Sequence, residues 1–243
     1  MGNKVVHFEL NGPDGSALAA FYRELFGWHV QEIAGADYWL VDTHAGEGIN
    51  GGFGQTEDGG AFSTIYVESA DPEALMTKAQ DAGAKVVVPI TETPMVTYGR
   101  FADADGLIVG IVKAGEGPGP SSGDNPPVDW FEITGSDPAT TQGFYSELFG
   151  WDLDRSGDTT YSLIQHEHDA EGRDTQIGGG LGGGGPMWVT AYARVPDAEA
   201  MLQKAEALGG KRAYGPNDVG GFLKTGAFHD PAGNPFGVYQ RVA

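Results

Sequence analysis

The first predicted strand carries two side chains that could do chemistry. His7 and Glu9 are separated by one residue within the run from Val5 to Leu10. Because alternate residues of a strand point to the same face, the imidazole and the carboxylate should lie side by side. Together they could transfer protons as a general base and acid, or bind a divalent metal ion. His7 and Glu9 are therefore the candidate catalytic residues if the chain is an enzyme.

A later predicted strand, Asp129 to Thr134, carries Trp130 and Glu132 with the same spacing. The carboxylate recurs, but the indole of a tryptophan cannot replace the histidine as a metal ligand. A carboxyl group inside an aromatic pocket should have a raised pKa, which would suit a general acid or base. The alternative is that both glutamates only accept hydrogen bonds from the backbone or from a tyrosine hydroxyl.

The same alternation groups side chains on other predicted strands. The residues expected to share a face are Thr64, Tyr66 and Glu68 on one strand, and Thr190, Tyr192 and Arg194 on another. Arg100 and Arg194 could bind an anionic ligand, or could pair with the abundant carboxylates instead. The candidate ligand-binding residues are Tyr66, Glu68, Arg100, Trp130, Glu132, Tyr192 and Arg194.

A duplicated helix positions these strands. The segments Phe21 to Trp28 and Phe144 to Trp151 are 123 positions apart and identical at seven of eight residues. Asp14 and Asp137 precede the two helices as N-caps, since their carboxylates can accept the unpaired backbone N–H groups. Gly27 and Gly150 should supply the left-handed residue that ends each helix.

The predicted elements form a module of one strand, one helix and three further strands. Two such modules follow one another in the first half of the chain, and the same pair recurs in the second half. The helices that begin at Asp71 and Asp197 match at an offset of 126, and the turns at Asp103 and Asp230 match at 127. In the last module the predicted strands are 188–195, 222–228 and 235–242. A segment rich in Gly, Pro and Ser separates the two copies. We therefore predict a domain over 1–113, a linker over 114–127 and a second domain over 128–243.

The amino-acid composition excludes some classes of binding partner and of chemistry. The chain has 243 residues, of which 34 are acidic and 14 are Lys or Arg, which gives a formal charge of −20, and it has no Cys. Nucleic acids and anionic membranes both require a basic surface, so neither is an expected partner. The absence of Cys excludes thiol catalysis and Cys-bound metal centres. With no signal-peptide or membrane-spanning pattern, we expect a cytoplasmic protein.

The repeated strand, the aspartate-capped helix ending in Phe-Tyr-x-Glu-Leu-Phe-Gly-Trp, and the Asp-x-x-Gly turn before a last strand resemble the vicinal oxygen chelate superfamily. That superfamily includes glyoxalases, extradiol dioxygenases and bleomycin-resistance proteins, and the chain looks most like its two-domain glyoxalase-like hydroxylase group. The resemblance covers nearly the whole chain, twice. It implies an α+β fold in which each domain is a pair of βαβββ modules, with a cup-shaped curved sheet, helices outside and the ligand inside the cup.

The resemblance also implies where a metal ion would bind. His7 matches the first-strand ligand, and Trp130 is its counterpart in the second repeat. The other ligand positions fall at Thr64, Gly110, Thr190 and Gly237. One suitable ligand in the first repeat and none in the second should not hold an ion tightly. We therefore predict no tightly bound metal, with a weakly held divalent ion at His7 as the alternative, and the space left at both glycines should serve as ligand volume.

Two functions remain open from the sequence. The first is a metal-free protein that binds a small, partly aromatic molecule in its cups, as bleomycin-resistance proteins do. The second is a lyase, isomerase or oxygenase that uses His7 and Glu9. The loop from His166 to Glu171 could bind a stray ion, although a solvated turn explains it equally. We expect a pseudo-dimer within one chain, and the sequence does not indicate whether it associates further.

Overall fold

The computed structural model describes residues 2–117, 119–157, 159–165 and 176–242. The first repeat contains two modules, each with one helix and four strands. The elements of its first module are β1 (Val5–Gly12), α1 (Gly15–Phe26), β2 (His29–Ile33), β3 (Tyr38–Asp42) and β4 (Asn50–Gln55). Those of its second module are β5 (Phe62–Ser69), α2 (Pro72–Asp81), β6 (Lys85–Glu92), β7 (Thr97–Ala102) and β8 (Ile108–Lys113).

The second repeat has the same order. Its third module contains β9 (Val128–Gly135), α3 (Pro138–Phe149), β10 (Leu153–Asp154), β11 (Tyr161–Ile164) and β12 (Gly178–Gly183). Its fourth module contains β13 (Trp188–Arg194), α4 (Ala198–Ala207), β14 (Lys211–Val219), β15 (Leu223–His229) and β16 (Pro235–Arg241).

The strands form two mixed sheets of eight. The strand orders are β2-β3-β4-β1-β5-β8-β7-β6 and β10-β11-β12-β9-β13-β16-β15-β14. The pairs β1–β4, β5–β8 and β13–β16 are parallel. The predicted α+β fold of two tandem domains, each a pair of βαβββ modules, is confirmed.

The duplicated helix begins and ends as its sequence predicts. The Asp14 carboxylate accepts a hydrogen bond from Ala17 N at 2.9 Å, and the Asp137 carboxylate accepts one from Thr140 N at 2.8 Å. Gly27 and Gly150 follow the helices with φ of 77° and 69°, in the left-handed region that a residue without Cβ adopts readily.

The sequence prediction omitted β14. This strand contains Gly215 and Pro216, which are turn signals when only the sequence is considered. It lies at the edge of its sheet, where a residue that donates no hydrogen bond is tolerated, and its pairing with β15 is irregular between Arg212 and Asn217.

The chain forms two compact units, and each takes segments from both repeats. One unit comprises Met1–Val6, Thr64–Pro118 and Phe131–Val189, and the other comprises His7–Ser63, Gly119–Trp130 and Thr190–Ala243. The first unit therefore contains the second and third modules almost entire, and the other unit contains the first and fourth. The domain boundaries drawn from the sequence follow the repeats and stay a prediction.

In the unit that contains α1, this helix packs with strands of the fourth module. The Tyr22 ring lies 5.1 Å from the Phe53 ring and 5.4 Å from the Phe236 ring. The Tyr22 hydroxyl donates a hydrogen bond to Asp230 Oδ2 at 3.3 Å, and burial raises the pKa of that carboxyl group. Lys204 Nζ donates to Leu25 O at 3.0 Å and so satisfies a carbonyl at the helix end.

The other unit repeats this arrangement with α3 and the second module. The Tyr145 hydroxyl donates to Asp103 Oδ2 at 2.9 Å, and burial raises the pKa of Asp103. Lys78 Nζ donates to Leu148 O at 3.0 Å. In both units, therefore, a helix of one repeat is held by an aspartate and a lysine of the other repeat, and the aspartate is buried in one unit (Asp230) and half-buried in the other (Asp103).

The segment predicted as a linker has no helix or strand among its described residues, but it is hydrogen-bonded to the modules. Asn125 Nδ2 donates to Gly27 O, and the Trp28 indole donates to Pro126 O, both at 2.9 Å. Among the described residues, no helix is long and apolar enough to span a membrane. The cytoplasmic location stays a prediction.

Replacing Gly27 with alanine should lower the free energy of unfolding by about 1–2 kcal/mol, because an L-residue at positive φ clashes with its own carbonyl. Gly143 is the matched control: it lies inside α3, and an added Cβ there would have no atom within 4 Å. Gly143→Ala should raise stability by about 0.5–1 kcal/mol. Urea denaturation of both variants measures the effect, and equal losses at the two sites would contradict this explanation of the helix end.

Candidate functional site

Each module has one sheet face covered by its helix, and we call the opposite face the inner face. On β1, Phe8 lies on the helix side, with its ring 5.5 Å from that of Trp28. On β7 and β15, added Cβ atoms at Gly99 and Gly226 would meet Met76 of α2 and Leu202 of α4. Since side chains alternate along a strand, the neighbours of these residues lie on the inner faces.

The inner face of the first module carries the candidate residue His7. Its Nε2 is hydrogen-bonded to the Tyr38 hydroxyl at 2.8 Å. Burial lowers the pKa of His7 to about 4, although the charge of Glu9 opposes that shift. The imidazole is therefore neutral near pH 7 and shares a hydrogen bond with the Tyr38 hydroxyl.

Glu9 lies on the same face and is 4% exposed. Asn11 Nδ2 donates a hydrogen bond to Glu9 Oε1 at 3.0 Å. The predicted pairing of His7 and Glu9 on one face of β1 is thus found, together with Tyr38 and Asn11, which the sequence prediction did not include. The four side chains form a polar cluster that can donate and accept hydrogen bonds.

The third module has a related but different cluster. The Tyr161 hydroxyl donates to Glu132 Oε1 at 2.7 Å. Thr134 takes the place of Asn11 and donates to Pro186 O at 2.6 Å. Trp130 takes the place of His7 and is half-buried. Tyr38 is hydrogen-bonded to an imidazole, whereas the third module has an indole at the equivalent position, so the two repeats present different polar groups.

Tyr66 covers Gly110 on the inner face of the second module. The two residues are paired between β5 and β8, and an added Cβ at Gly110 would overlap the Tyr66 ring. The ring extends across the sheet, and Arg100 Nε donates to its hydroxyl at 2.7 Å. The Arg100 guanidinium also lies 5.9 Å from the centroid of the Tyr66 ring and 5.6 Å from that of Tyr98.

Tyr192 covers Gly237 in the same way in the fourth module. Its hydroxyl lies 3.1 Å from the Tyr214 hydroxyl, which in turn lies 3.3 Å from Thr225 Oγ1. The expectation that Gly110 and Gly237 leave volume for a ligand is therefore wrong. Each glycine instead makes room for a tyrosine ring of the paired strand.

The positions that the resemblance assigns to metal ligands are poorly suited to hold an ion. Gly110 and Gly237 have no side chain, and the Thr64 hydroxyl donates to Ile108 O at 2.8 Å. Thr190 is fully buried. Within the described ranges, no group of three His, Asp or Glu side chains could hold a metal ion. The loop from His166 to Glu171 lies outside the described residues.

The remaining candidates lie at the ends of their strands. Glu68 is half-buried, and its backbone oxygen accepts a hydrogen bond from Asn3 Nδ2 at 2.7 Å. Arg194 pairs with Glu47 and, through Nε at 3.3 Å, with Asp129. The alternative that Arg194 pairs with carboxylates is therefore what the structure shows.

The sequence prediction missed the tyrosines that complete these clusters, namely Tyr38, Tyr98, Tyr161 and Tyr214. The sequence does contain a pattern that could have identified two of these tyrosines. Tyr38 and Tyr161 are 123 positions apart, which is the offset of the duplicated helix. Each also packs its hydroxyl against a glycine of the next strand, Gly52 or Gly180.

Comparison with known proteins identifies the family. The sequence model described as "Glyoxalase/Bleomycin resistance protein/Dioxygenase superfamily" matches residues 4–111 and 128–238. The chain is 29% identical over 259 residues to the anthracycline biosynthesis protein DauV of Streptomyces sp. strain C5, which covers 96% of this chain and 91% of that protein. The resemblance drawn from the repeated motif is confirmed.

Solved structures share the fold at low sequence identity. The 2,3-dioxygenase LapB from Pseudomonas sp. KL28 superposes with a TM-score of 0.68 at 15% identity, over 100% of this chain and 94% of that one. The Mn(II)-bound glyoxalase from Novosphingobium aromaticivorans superposes with a TM-score of 0.69 at 15% identity, over 100% of this chain and 83% of that one. At this identity the likeness shows the fold alone.

Replacing His7 with glutamine should change how stability depends on pH. The unfolded histidine has a pKa near 6.5 and the folded one about 4, so the unfolded state binds more protons between these values. The wild type should therefore lose about 2–3 kcal/mol of unfolding free energy between pH 6.5 and 4, relative to His7→Gln. Denaturant titrations at a series of pH values measure the difference, and a difference that does not vary with pH would contradict a neutral His7 imidazole with a lowered pKa.

Replacing Gly110 with alanine should lower the unfolding free energy by about 1–3 kcal/mol, because the new Cβ forces the Tyr66 ring to move. Gly119→Ala is the control: an added Cβ there has no atom within 4 Å, and the effect should stay within about 0.5 kcal/mol. In a double-mutant cycle, Gly110→Ala and Tyr66→Ala together should cost less than the sum of the single effects. Strict additivity would show that the ring does not depend on the glycine.

Proposed function

Because the chain belongs to the glyoxalase, bleomycin-resistance protein and dioxygenase superfamily, we propose that it binds a small, partly aromatic organic molecule at its inner faces without a tightly held metal ion. The observation that carries the proposal is the pair of tyrosine rings on Gly110 and Gly237. At these two positions the superfamily resemblance implies a metal ligand, whereas this chain has a glycine that is covered by the tyrosine ring of the paired strand.

The chemistry of the donors supports the metal-free part of the proposal. A divalent ion needs several nitrogen or oxygen donors that converge on it, and His7 is the one imidazole at the implied positions. Its Nε2 is hydrogen-bonded to the Tyr38 hydroxyl, so that nitrogen is already engaged. Threonine hydroxyls are weak ligands, and the Thr64 hydroxyl donates to a backbone carbonyl. A divalent ion held weakly at His7 would lack the remaining ligands.

The side chains of the inner faces support the aromatic part of the proposal. Ligand sites combine apolar and aromatic walls with a few polar groups that fix the orientation of the ligand. Tyr38, Tyr98, Tyr161 and Tyr214 are half-buried. Each tyrosine offers a ring face for stacking and a hydroxyl that can donate or accept a hydrogen bond.

The similarity to DauV supports a ligand class. DauV is named as an anthracycline biosynthesis protein, and this chain covers 91% of its length. Anthracyclines are planar, multi-ring aromatic compounds with several oxygen substituents. A ligand of this kind would match tyrosine rings and hydroxyls better than a purely aliphatic one. The formal charge of −20 opposes binding to nucleic acid or anionic membranes and suits a small-molecule partner.

A second candidate function is that of a lyase, isomerase or oxygenase, as in the glyoxalase-like hydroxylase group. The observation that favours it is the contact between the neutral His7 imidazole and the Tyr38 hydroxyl at 2.8 Å, with Glu9 on the same face. Such a cluster can take a proton from a bound ligand and return it. If this function holds, His7→Gln should abolish turnover while ligand affinity remains.

A panel of planar oxygenated aromatics, such as hydroxyanthraquinones and naphthoquinones, tests the binding proposal by thermal shift and calorimetry. A ligand present at about 100 times its Kd should add about 2.7 kcal/mol to the stability of the wild type. Tyr98→Ala should weaken binding of the same compound about tenfold, since stacking on one ring contributes about 0.5–1.5 kcal/mol beyond its buried area.

Phe222→Ala is the control for that experiment, because Phe222 is 60% exposed in the turn between β14 and β15. It removes an aromatic ring of similar size from the surface and should leave affinity unchanged. If no member of the panel stabilises the wild type, or if Tyr98→Ala binds as well as the wild type does, the proposed site is wrong.

A further inference from the structure

Arg194 presents a cation on the inner face of the fourth module. It follows Tyr192 by two residues on β13, so the two side chains point to the same side of the sheet. The Arg194 side chain is 24% exposed. The chain has 14 Lys and Arg residues but 34 acidic ones, so few side chains could provide a positive charge on a face lined by tyrosines.

Asp129 fixes one side of the Arg194 guanidinium. Arg194 Nε lies 3.3 Å from Asp129 Oδ2, and the Tyr239 hydroxyl donates to Asp129 Oδ1 at 2.8 Å. The Asp129 side chain is only 16% exposed, and the phenol holds its carboxylate in place. Because the contact is made through Nε, the guanidinium is oriented by a buried partner, and its outer edge points elsewhere.

Glu47 occupies that outer edge. Its Oε1 pairs with Arg194 Nη2, and its side chain is 63% exposed. An ion pair with so exposed a partner contributes little to stability, because water competes for both charges. Glu47 binds through one oxygen, whereas the fork of a guanidinium can bind both oxygens of one carboxylate.

The backbone on either side of Glu47 is held in place. Gly46 N donates to Ser121 O at 2.9 Å, and an added Cβ at Gly48 would overlap Val128 O. Glu47 can therefore leave Arg194 by rotation about its own side-chain bonds, without movement of the loop. Such a rotation is fast and costs little.

We propose that Arg194 binds the carboxylate group of an aromatic ligand. Glu47 occupies this position on Arg194 in the absence of the ligand, and its side chain rotates away when the ligand binds. The site thereby selects aromatic acids over neutral aromatics of the same shape. Because the protein is acidic, an anionic ligand needs a local cation to overcome the surrounding negative charge. This inference rests on the proposed binding of aromatic molecules at the inner faces.

The test compares 2-naphthoate with 2-naphthamide, which has the same rings without the charge, by calorimetry at low salt. Glu47→Gln should raise the affinity for 2-naphthoate about two- to fivefold, since it removes a competitor of the strength of an exposed ion pair. It should leave the affinity for 2-naphthamide unchanged. Glu57→Gln is the matched control, because it removes the same charge from an exposed residue in the loop between β4 and β5.

Arg194→Gln should lower the affinity for 2-naphthoate about tenfold or more, because charge-assisted bonds to a carboxylate are lost. Arg194→Lys keeps the charge without the fork and should retain part of the affinity. Thermal unfolding of both variants, compared with the wild type, confirms that they fold.

The results separate this inference from the proposed function. If wild type and Arg194→Gln bind 2-naphthoate equally, or if Glu47→Gln changes the affinity no more than Glu57→Gln does, the role of Arg194 is overturned while aromatic binding stands. Binding of 2-naphthamide but not 2-naphthoate also overturns it. If the wild type binds neither probe nor any other aromatic compound, both proposals fail.

Discussion

The packing of a tyrosine ring on a glycine determines what the inner faces can bind. Tyr66 lies on Gly110 and Tyr192 on Gly237, and each glycine is paired in a parallel register with the tyrosine that covers it. Any side chain at either glycine would overlap the ring. The ring and a metal-binding side chain therefore exclude one another at these positions, and under the proposed function a ligand would be recognised by phenols, amides, carboxylates and arginines.

Within each compact unit, a helix of one repeat packs against elements of the other repeat, and this packing supports the sheets that carry the inner faces. The helices α1 and α3 are each held by a lysine and an aspartate from the other repeat. Burial raises the pKa of both aspartates because it disfavours the charged carboxylate. Hydrogen bonds from the tyrosine hydroxyl and from backbone N–H groups offset this cost. A duplicated sequence thus gives two units of the same design. The polar groups then diverge, with an imidazole and an arginine–tyrosine contact in one repeat, and a tryptophan and a tyrosine–tyrosine contact in the other.

The sequence predicted most of the fold because the relevant signals are local. Asp14, Gly27 and their counterparts determine the helix ends within a few residues, and alternation correctly placed His7 and Glu9 on one face. The contact of Tyr66 with Gly110 could not be predicted in this way, since it depends on the register between strands more than 40 positions apart. The role of Tyr38 depends likewise on the pairing of β3 with β4. β14 was missed because its Gly-Pro pair is tolerated only at a sheet edge, and edge position is not a local property.

Whether the inner faces hold a metal ion can be decided from the metal content of the purified chain, measured by mass spectrometry as isolated and after equilibration with Mn²⁺, Fe²⁺, Ni²⁺ and Zn²⁺ followed by desalting. We expect far less than one ion per chain in every case, with the same residual content in His7→Gln. One firmly held divalent ion per wild-type chain, lost in His7→Gln, would contradict this expectation. Such a result would require ligands at the inner faces that replace what Gly110 and Gly237 cannot supply.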